Sequence, residues 1–144
     1  MLVKDVMTAA PVFSKATDTV ERVAKLMVEH DCGVIPICDL RKPVGIITDR
    51  DITCRAVAAG KAPNALKVGD VMTKKVYTVT EDDDVQAAID LMESKQVRRL
   101  PVVNAKGDLV GIVAPSDLAP TFASTNVSDF LLAVSYWTRK PVAV

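Results

Sequence analysis

The chain has no charge of one sign to spare, since 18 Lys and Arg balance 18 Asp and Glu. A neutral chain has no overall positive field with which to gather nucleic acid or an anionic membrane surface, so any basic site must be local. Cysteine is scarce and odd in number, and Cys32, Cys38 and Cys54 all fall in the first half. That argues against the disulfide framework of a small secreted domain and for a reducing, cytoplasmic setting. Histidine occurs once, as His30, so acid-base sets built on more than one histidine are excluded, and a Cys54 nucleophile lacks an obvious base. His30 and Cys32 stand too close at a helix end to converge on zinc, and no third or fourth ligand has metal-site spacing. No run approaches the roughly 18 apolar residues of a membrane span. Met1 to Thr8 carries Lys4 and Asp5 and no apolar leader core. The expectation is a soluble, unprocessed, cytoplasmic protein with no catalytic residues and no metal.

What is present is a globular mixture, 49% apolar and 25% charged over 144 residues, enough for one ordinary domain or two half-size units. The chain repeats itself. Val3-Lys4-Asp5-Val6-Met7-Thr8 returns as Val68-Gly69-Asp70-Val71-Met72-Thr73, an offset of 65. The same register aligns Asp18 with Asp83, Val20 with Val85, Leu26-Met27 with Leu91-Met92, and Pro36 with Pro101. After a one-residue slip, Gly45-Ile46-Ile47 matches Gly111-Ile112-Val113 and Asp51 matches Asp117. The resulting division is repeat 1 over 1–59, a linker over 60–67, repeat 2 over 68–120 and a tail over 121–144.

Each repeat reads as strand, helix, strand, strand, helix. An extended piece, Pro11 to Phe13 or Val76 to Val79, precedes a helix whose apolar residues fall at i, i+3, i+4 and i+7: Val20, Val23, Ala24, Met27 and Val85, Ala88, Ile89, Met92. Asp18 with Glu21 and Asp83 with Gln86 are expected to form capping boxes. Asp82-Asp83-Asp84 is read as acidic residues at a helix N-terminus rather than a cation site. Two strands follow, Val34 to Cys38 with Val44 to Ile47, and Leu100 to Val103 with Leu109 to Val113. Second helices begin near Asp49 and Pro115. Asn126-Val127-Ser128-Asp129 is expected to cap a short helix carrying Phe130, Leu131, Val134 and Trp137.

Taken together, the duplicated Val-Met-Thr openings, the apolar-Pro-apolar strands around Pro36 and Pro101, Gly45-Ile-Ile-Thr48-Asp-Arg-Asp51 and Gly111-Ile-Val-Ala114-Pro-Ser-Asp117 resemble the tandem cystathionine-beta-synthase (CBS) domain family. The resemblance covers about residues 1–120. It implies an α/β (α+β) fold of two βαββα repeats packed sheet to sheet about a pseudo-two-fold axis, burying Ile35, Ile37, Ile46, Val102 and Ile112. It also implies a homodimer, and a regulatory or sensor module that binds an adenine nucleotide such as AMP, ADP or ATP and acts on a partner protein. A ligand-free scaffold and a binder of S-adenosylmethionine or NAD are the alternatives.

By the same resemblance, Asp51 accepts from ribose hydroxyls, Thr48 and Lys75 touch phosphate, and Ile46, Val97, Arg98 and Arg99 complete the first cleft. Guanidinium groups suit phosphate through bidentate, charge-assisted bonds. A purely local reading stays open, because Thr48-x-x-Asp51 is also a helix-capping pair. A second, weaker cleft would hold Ile112 and Asp117, with Ala114 where a hydroxyl is expected and Ala10, Gly33 and Val34 where cations would stand. One strong phosphate site and one poor one are therefore expected.

Overall fold

The computed structural model describes residues 1–122 and 124–135. In chain order the elements are β1 (Thr8–Ala9), α1 (Val20–Glu29), β2 (Val34–Asp39), β3 (Lys42–Thr48), α2 (Asp49–Ile52), β4 (Val79–Thr80), α3 (Val85–Lys95), β5 (Leu100–Val103), β6 (Leu109–Val113), α4 (Pro115–Leu118) and α5 (Ser124–Ser135). A wider π-turn over Thr53–Val57 prolongs α2. The strands β2 and β3 pair antiparallel, and a four-stranded sheet runs in the order β1-β6-β5-β4. The expected helix, strand, strand, helix succession is present twice, while the strand before α1 is Thr8–Ala9 and not the expected Pro11–Phe13.

The chain forms two compact units that are not the two sequence repeats. Among the described residues, one contains 10–76 and 105–109, and the other 1–9, 77–104, 110–122 and 124–135. Each unit takes the opening segment of the repeat to which it does not belong. In the first of these units Val68 and Val71 lie in a core with Val20, Val23, Met27, Ile35, Ile37, Ile47 and Ala56. In the other, Val3 lies in a core with Val79, Ala88, Ile89, Met92, Leu100, Val102, Val113 and Leu118. Burying a valine side chain stabilises by about 1.5–3 kcal/mol, so the opening segments are anchored by ordinary apolar burial.

The backbone adds a second anchor. A helix begins with N–H groups that lack intrahelical partners, and here the linker just before one opening segment, and the start of the other, satisfy some of them. Val20 N donates to Leu66 O at 2.9 Å and Glu21 N to Pro63 O at 3.1 Å. At the matching place Val85 N donates to Met1 O at 3.0 Å. The side-chain caps sit one residue later than expected: Thr19 accepts from Arg22 N, and Asp84 accepts from Gln86 N. Asp18 instead accepts from Ser14 Oγ and Lys15 N, and Asp83 from Thr80 N. Both aspartates are drawn into the turn before the helix because that turn has free donors of its own.

Strand periodicity places Ile35, Ile37 and Val102 in the cores, as expected. Ile46 and Ile112 are only half-buried, because they alternate with Ile47 and Val113, which take the inward side. Val76–Val79 yields a strand only at its end, where β4 runs parallel to β5 with Val79 opposite Val102. Pro11–Phe13 forms no strand, and the pairing in that repeat is a single parallel bridge from Ser14 to Ile37. The last helix starts at Ser124, two residues before the expected cap at Asn126. It buries Phe130 and Val134 and leaves Leu131 exposed, with Phe130 stacked on Phe122 at 5.0 Å. Trp137 lies outside the described residues.

Two methionines complete the exchange. A Cβ at Gly45 would lie 3.2 Å from Met72 Cγ, and one at Gly111 would lie 3.0 Å from Met7 Cγ, with each sulfur closer still. Each glycine is thus the flat strand surface on which a methionine rests. Gly45→Ala is expected to destabilise by about 1–3 kcal/mol through overpacking, with part of the loss returned by Met72→Ala in the same chain. Urea unfolding measures both, and a neutral Gly45→Ala would refute the packing argument.

A pH effect follows from Asp18. The Ser14 hydroxyl, then the Lys15 amide and the charges of Arg22 and Lys15, hold its carboxyl below the usual value, against the opposing effect of burial. A carboxyl lowered in the folded state contributes stability above its unfolded value, and the contribution is lost as pH falls through the folded one. Asp18→Asn should therefore be less stable than the wild type at neutral pH. The gap should shrink steadily below about pH 4, and denaturation curves across pH 2–7 that stay parallel would exclude this role.

Candidate functional site

In the unit of residues 10–76 the end of β3 turns directly into α2. Alternation along the strand buries Gly45 and Ile47 and leaves Ile46 and Thr48 half-buried on the other side. Thr48 is extended (φ −115°, ψ 163°) and caps the helix. Its hydroxyl accepts from Asp51 N at 3.1 Å, and Asp51 Oδ2 accepts from Thr48 N at 3.0 Å. The capping pair left open by the sequence is therefore present. It does not exhaust the chemistry, because a carboxylate offers about four lone-pair sites and a threonine hydroxyl can still donate. The box fixes the rotamers of two groups that retain capacity for a further partner, and the Asp51 side chain stays 14% exposed.

The opening segment of repeat 2 runs alongside. Ile46 N donates to Thr73 O at 3.0 Å and Thr73 N to Ile46 O at 2.9 Å. Lys74 and Lys75, both exposed, follow at once. Arg55, one turn beyond Asp51, donates from Nη1 to Val71 O at 2.9 Å and Met72 O at 3.3 Å, and stands 3.9 Å from Asp51 Oδ1. Ile46, Thr48, Asp51 and the segment ending in Lys75 are thus carried by one unit. Gly33 belongs here too: its carbonyl accepts from Asp49 N at 3.0 Å, and a Cβ on it would lie 2.8 Å from Asp49 Oδ2.

The other unit repeats the arrangement with parts missing. Thr8 and Ala9 pair with Ile112 and Gly111. Asp117 Oδ2 accepts from Ala114 N at 2.8 Å, but Ala114 has no hydroxyl to return the bond, and Asp117 N bonds Ala114 O at 3.0 Å. Where Lys74 and Lys75 follow Thr73, Ala9 and Ala10 follow Thr8. Val97 is half-buried, and Arg98 and Arg99 are exposed just before β5, with Arg99 Nη1 donating to Arg98 O at 2.8 Å. Thr73 and Arg55 were not singled out from the sequence. The legible signal for Arg55 was its spacing of four from Asp51, which faces the two side chains together on a helix.

Among the described residues no three His, Cys, Asp or Glu side chains are grouped to hold a metal ion, and no helix is long and apolar enough to cross a membrane. Cys38 is 3% exposed, and burial pushes its thiol up to about 11 against a smaller opposing effect of Arg41. It is an inert core thiol.

Two opening segments and two strand-strand-helix corners define a tandem, duplicated α/β module. The family model for the CBS domain matches residues 3–56 and again 68–123, and the chain belongs to the CBS domain family. Hypoxic response protein 1 of Mycobacterium tuberculosis is 35% identical over 132 residues, 91% of this chain and 92% of that protein. The crystal structure of Hypoxic Response Protein I with two coordinated zinc ions superposes with a TM-score of 0.74 at 36% identity, over 85% of this chain and 99% of that one. Protein MK0525 of Methanopyrus kandleri is 40% identical over 116 residues, 80% of this chain but 57% of that protein's length. The CBS domain pair of protein MJ0100, in complex with methylthioadenosine and S-adenosylmethionine, gives a TM-score of 0.75 at 32% identity, covering 85% of this chain and 95% of that one. CBSX2 in complex with AMP gives 0.70 at 26%, covering 83% and 94%.

Proposed function

We propose that this CBS-family chain is an adenosine-nucleotide-binding regulatory module with no catalytic activity of its own, and that its ligand is of the AMP, ADP or ATP type. One observation carries the reading. A fixed carboxylate with spare acceptor capacity, Asp51, and a hydroxyl, Thr48, stand at the end of β3, and the segment that pairs with β3 through Thr73 and Ile46 continues into two lysines within the same unit. A carboxylate suits the two hydroxyls of a ribose, and a cation suits its phosphate. Lys75 supplies that cation within this unit, and the family resemblance also assigns Arg98 and Arg99 to phosphate. Ile46 supplies an apolar contact to the base, and the family resemblance also assigns Val97 to the ligand.

The matching corner with Ile112 and Asp117 keeps the carboxylate but lacks both the hydroxyl and the lysines. A phosphate that enters such a place loses hydration without replacement bonds. It is therefore the weaker site, suited to an uncharged nucleoside; the methylthioadenosine and S-adenosylmethionine bound by MJ0100 supply the chemical precedent for adenosyl ligands without phosphate. Calorimetry with AMP should show about one strong site per chain, abolished by Asp51→Ala or Arg99→Ala and little changed by Asp117→Ala. Two equal AMP sites, or loss of binding on changing Asp117 alone, would reverse the assignment. Absence of binding by AMP, ADP, ATP, NAD and S-adenosylmethionine alike would leave a ligand-free scaffold.

The module is further proposed to act in the cytoplasm as a homodimer that signals to a partner protein. Val28 is 84% exposed on α1 and Val57 63% exposed beyond α2, apolar surface of the kind that association covers. Sedimentation at micromolar concentration should give twice the chain mass; a monomer alone refutes the dimer.

A further inference from the structure

We infer that Arg55 is the positioning residue of the Asp51 site: it ties the helix that carries Asp51 to the segment that ends in Lys75, and so sets ligand affinity without touching the ligand. The inference rests on the reading that Asp51 and Lys75 meet the nucleotide, and it adds what holds them in register.

The geometry is specific. The guanidinium Nη1 lies 2.9 Å from Val71 O and 3.3 Å from Met72 O, the carbonyls just before Thr73, and 3.9 Å from Asp51 Oδ1. Asp51 is otherwise held through its second oxygen, which accepts from Thr48 N. Its two oxygens are therefore biased from opposite sides, one by the cap and one by the cation. Thr73 in turn is locked to Ile46 by two backbone bonds. One side chain thus joins the two stretches that carry the acceptor and the lysine. Arginine suits this because its planar guanidinium fixes the directions of the N–H groups on Nη1, which makes all three contacts, whereas a lysine ammonium rotates freely. The side chain is half-exposed, so its removal opens no void in the core.

The weaker corner lacks this tie. Allowing for the one-residue slip, Thr121 stands at the place of Arg55, and its hydroxyl donates to Leu118 O at 2.6 Å within its own turn. No guanidinium at that place biases Asp117, which differs from Asp51 in this respect as well as in its missing hydroxyl partner.

The test is calorimetry of AMP against wild type, Arg55→Ala, Arg55→Lys and Thr121→Ala at a temperature well below unfolding, with melting temperatures taken without ligand. Arg55→Ala should weaken AMP binding about tenfold, and Arg55→Lys should recover part of that loss through its retained charge. Thr121→Ala should leave affinity unchanged. Amide exchange at Thr73 should quicken in Arg55→Ala without ligand. A role in general stability alone would lower the melting temperature and leave the affinity of the folded protein as it was, and that result overturns the inference. So does an unchanged Thr73 exchange rate. Should wild type bind AMP and lose it on Asp51→Ala while Arg55→Ala binds normally, only the role of Arg55 fails. Should wild type bind no AMP, the functional reading and this inference fail together. If Arg55→Ala does not fold, the Arg55→Lys affinity decides, and a value equal to wild type refutes the role of the fork.

Discussion

A methionine lying on a strand glycine is the contact on which the rest of each unit depends. Met72 covers Gly45 and Met7 covers Gly111, and neither glycine accepts a side chain without displacing its methionine. The contact matters because of what the methionines are attached to. Each ends a segment that begins by satisfying helix N–H groups through Leu66 O and Pro63 O, or Met1 O. The segment continues by burying Val68 and Val71, or Val3. Helix capping, apolar burial and strand pairing are thus consecutive duties of one short stretch, 63–73 or 1–9, and they are performed for the other repeat. Neither repeat sequence closes its core alone.

The same exchange builds the candidate site. Thr73 pairs with Ile46 and Met72 rests on Gly45, so Lys74 and Lys75 of repeat 2 belong to the same unit as Thr48 and Asp51 of repeat 1. The capping box at Thr48 and Asp51 is a local device with a wider use, since it immobilises a carboxylate that still has unused acceptor capacity. A structural role and a binding role are not rivals at this corner. At Ala114 and Asp117 the cap is halved, and the neighbouring segment ends in alanines, so the duplication preserves the scaffold and lets the chemistry diverge.

Among the described residues, left-handed non-glycine backbone occurs in one hairpin turn, at two helix ends and at Ala10 just after β1. Leu40 and Arg41 carry φ of 47° and 68° between the paired residues Asp39 and Lys42, a left-handed pair of the kind that usually calls for glycine or asparagine. The turn is supported from outside its own hairpin: Leu109 N donates to Arg41 O at 2.8 Å, and Lys42 Nζ lies 3.4 Å from Asp108 Oδ1. The helix ends are similar, with Asp31 and Gln96 both left-handed at 49° and 56°. Behind them Cys32 N and Val97 N bond back to Met27 O and Met92 O.

The sequence by itself determined the duplication, the element order and the family, because helix and strand periods and the offset of 65 are properties of neighbouring residues. It also marked Thr48, Asp51 and Asp117 and the unequal chemistry at Thr48 and Ala114, since these are matters of residue identity at aligned places. The caps were misplaced by one residue, because Asp18, Thr19, Asp83 and Asp84 are all competent and only the donors around them choose. Ile46 and Ile112 were assigned to the core because a continuous apolar run does not reveal which of its residues turns inward. Only the tertiary structure decided that the opening segments change places and that Arg55 stands between Asp51 and the carbonyls of Val71 and Met72. Those are contacts between distant stretches, and identical valines, methionines and glycines in both repeats would satisfy either pairing until backbone geometry selects one.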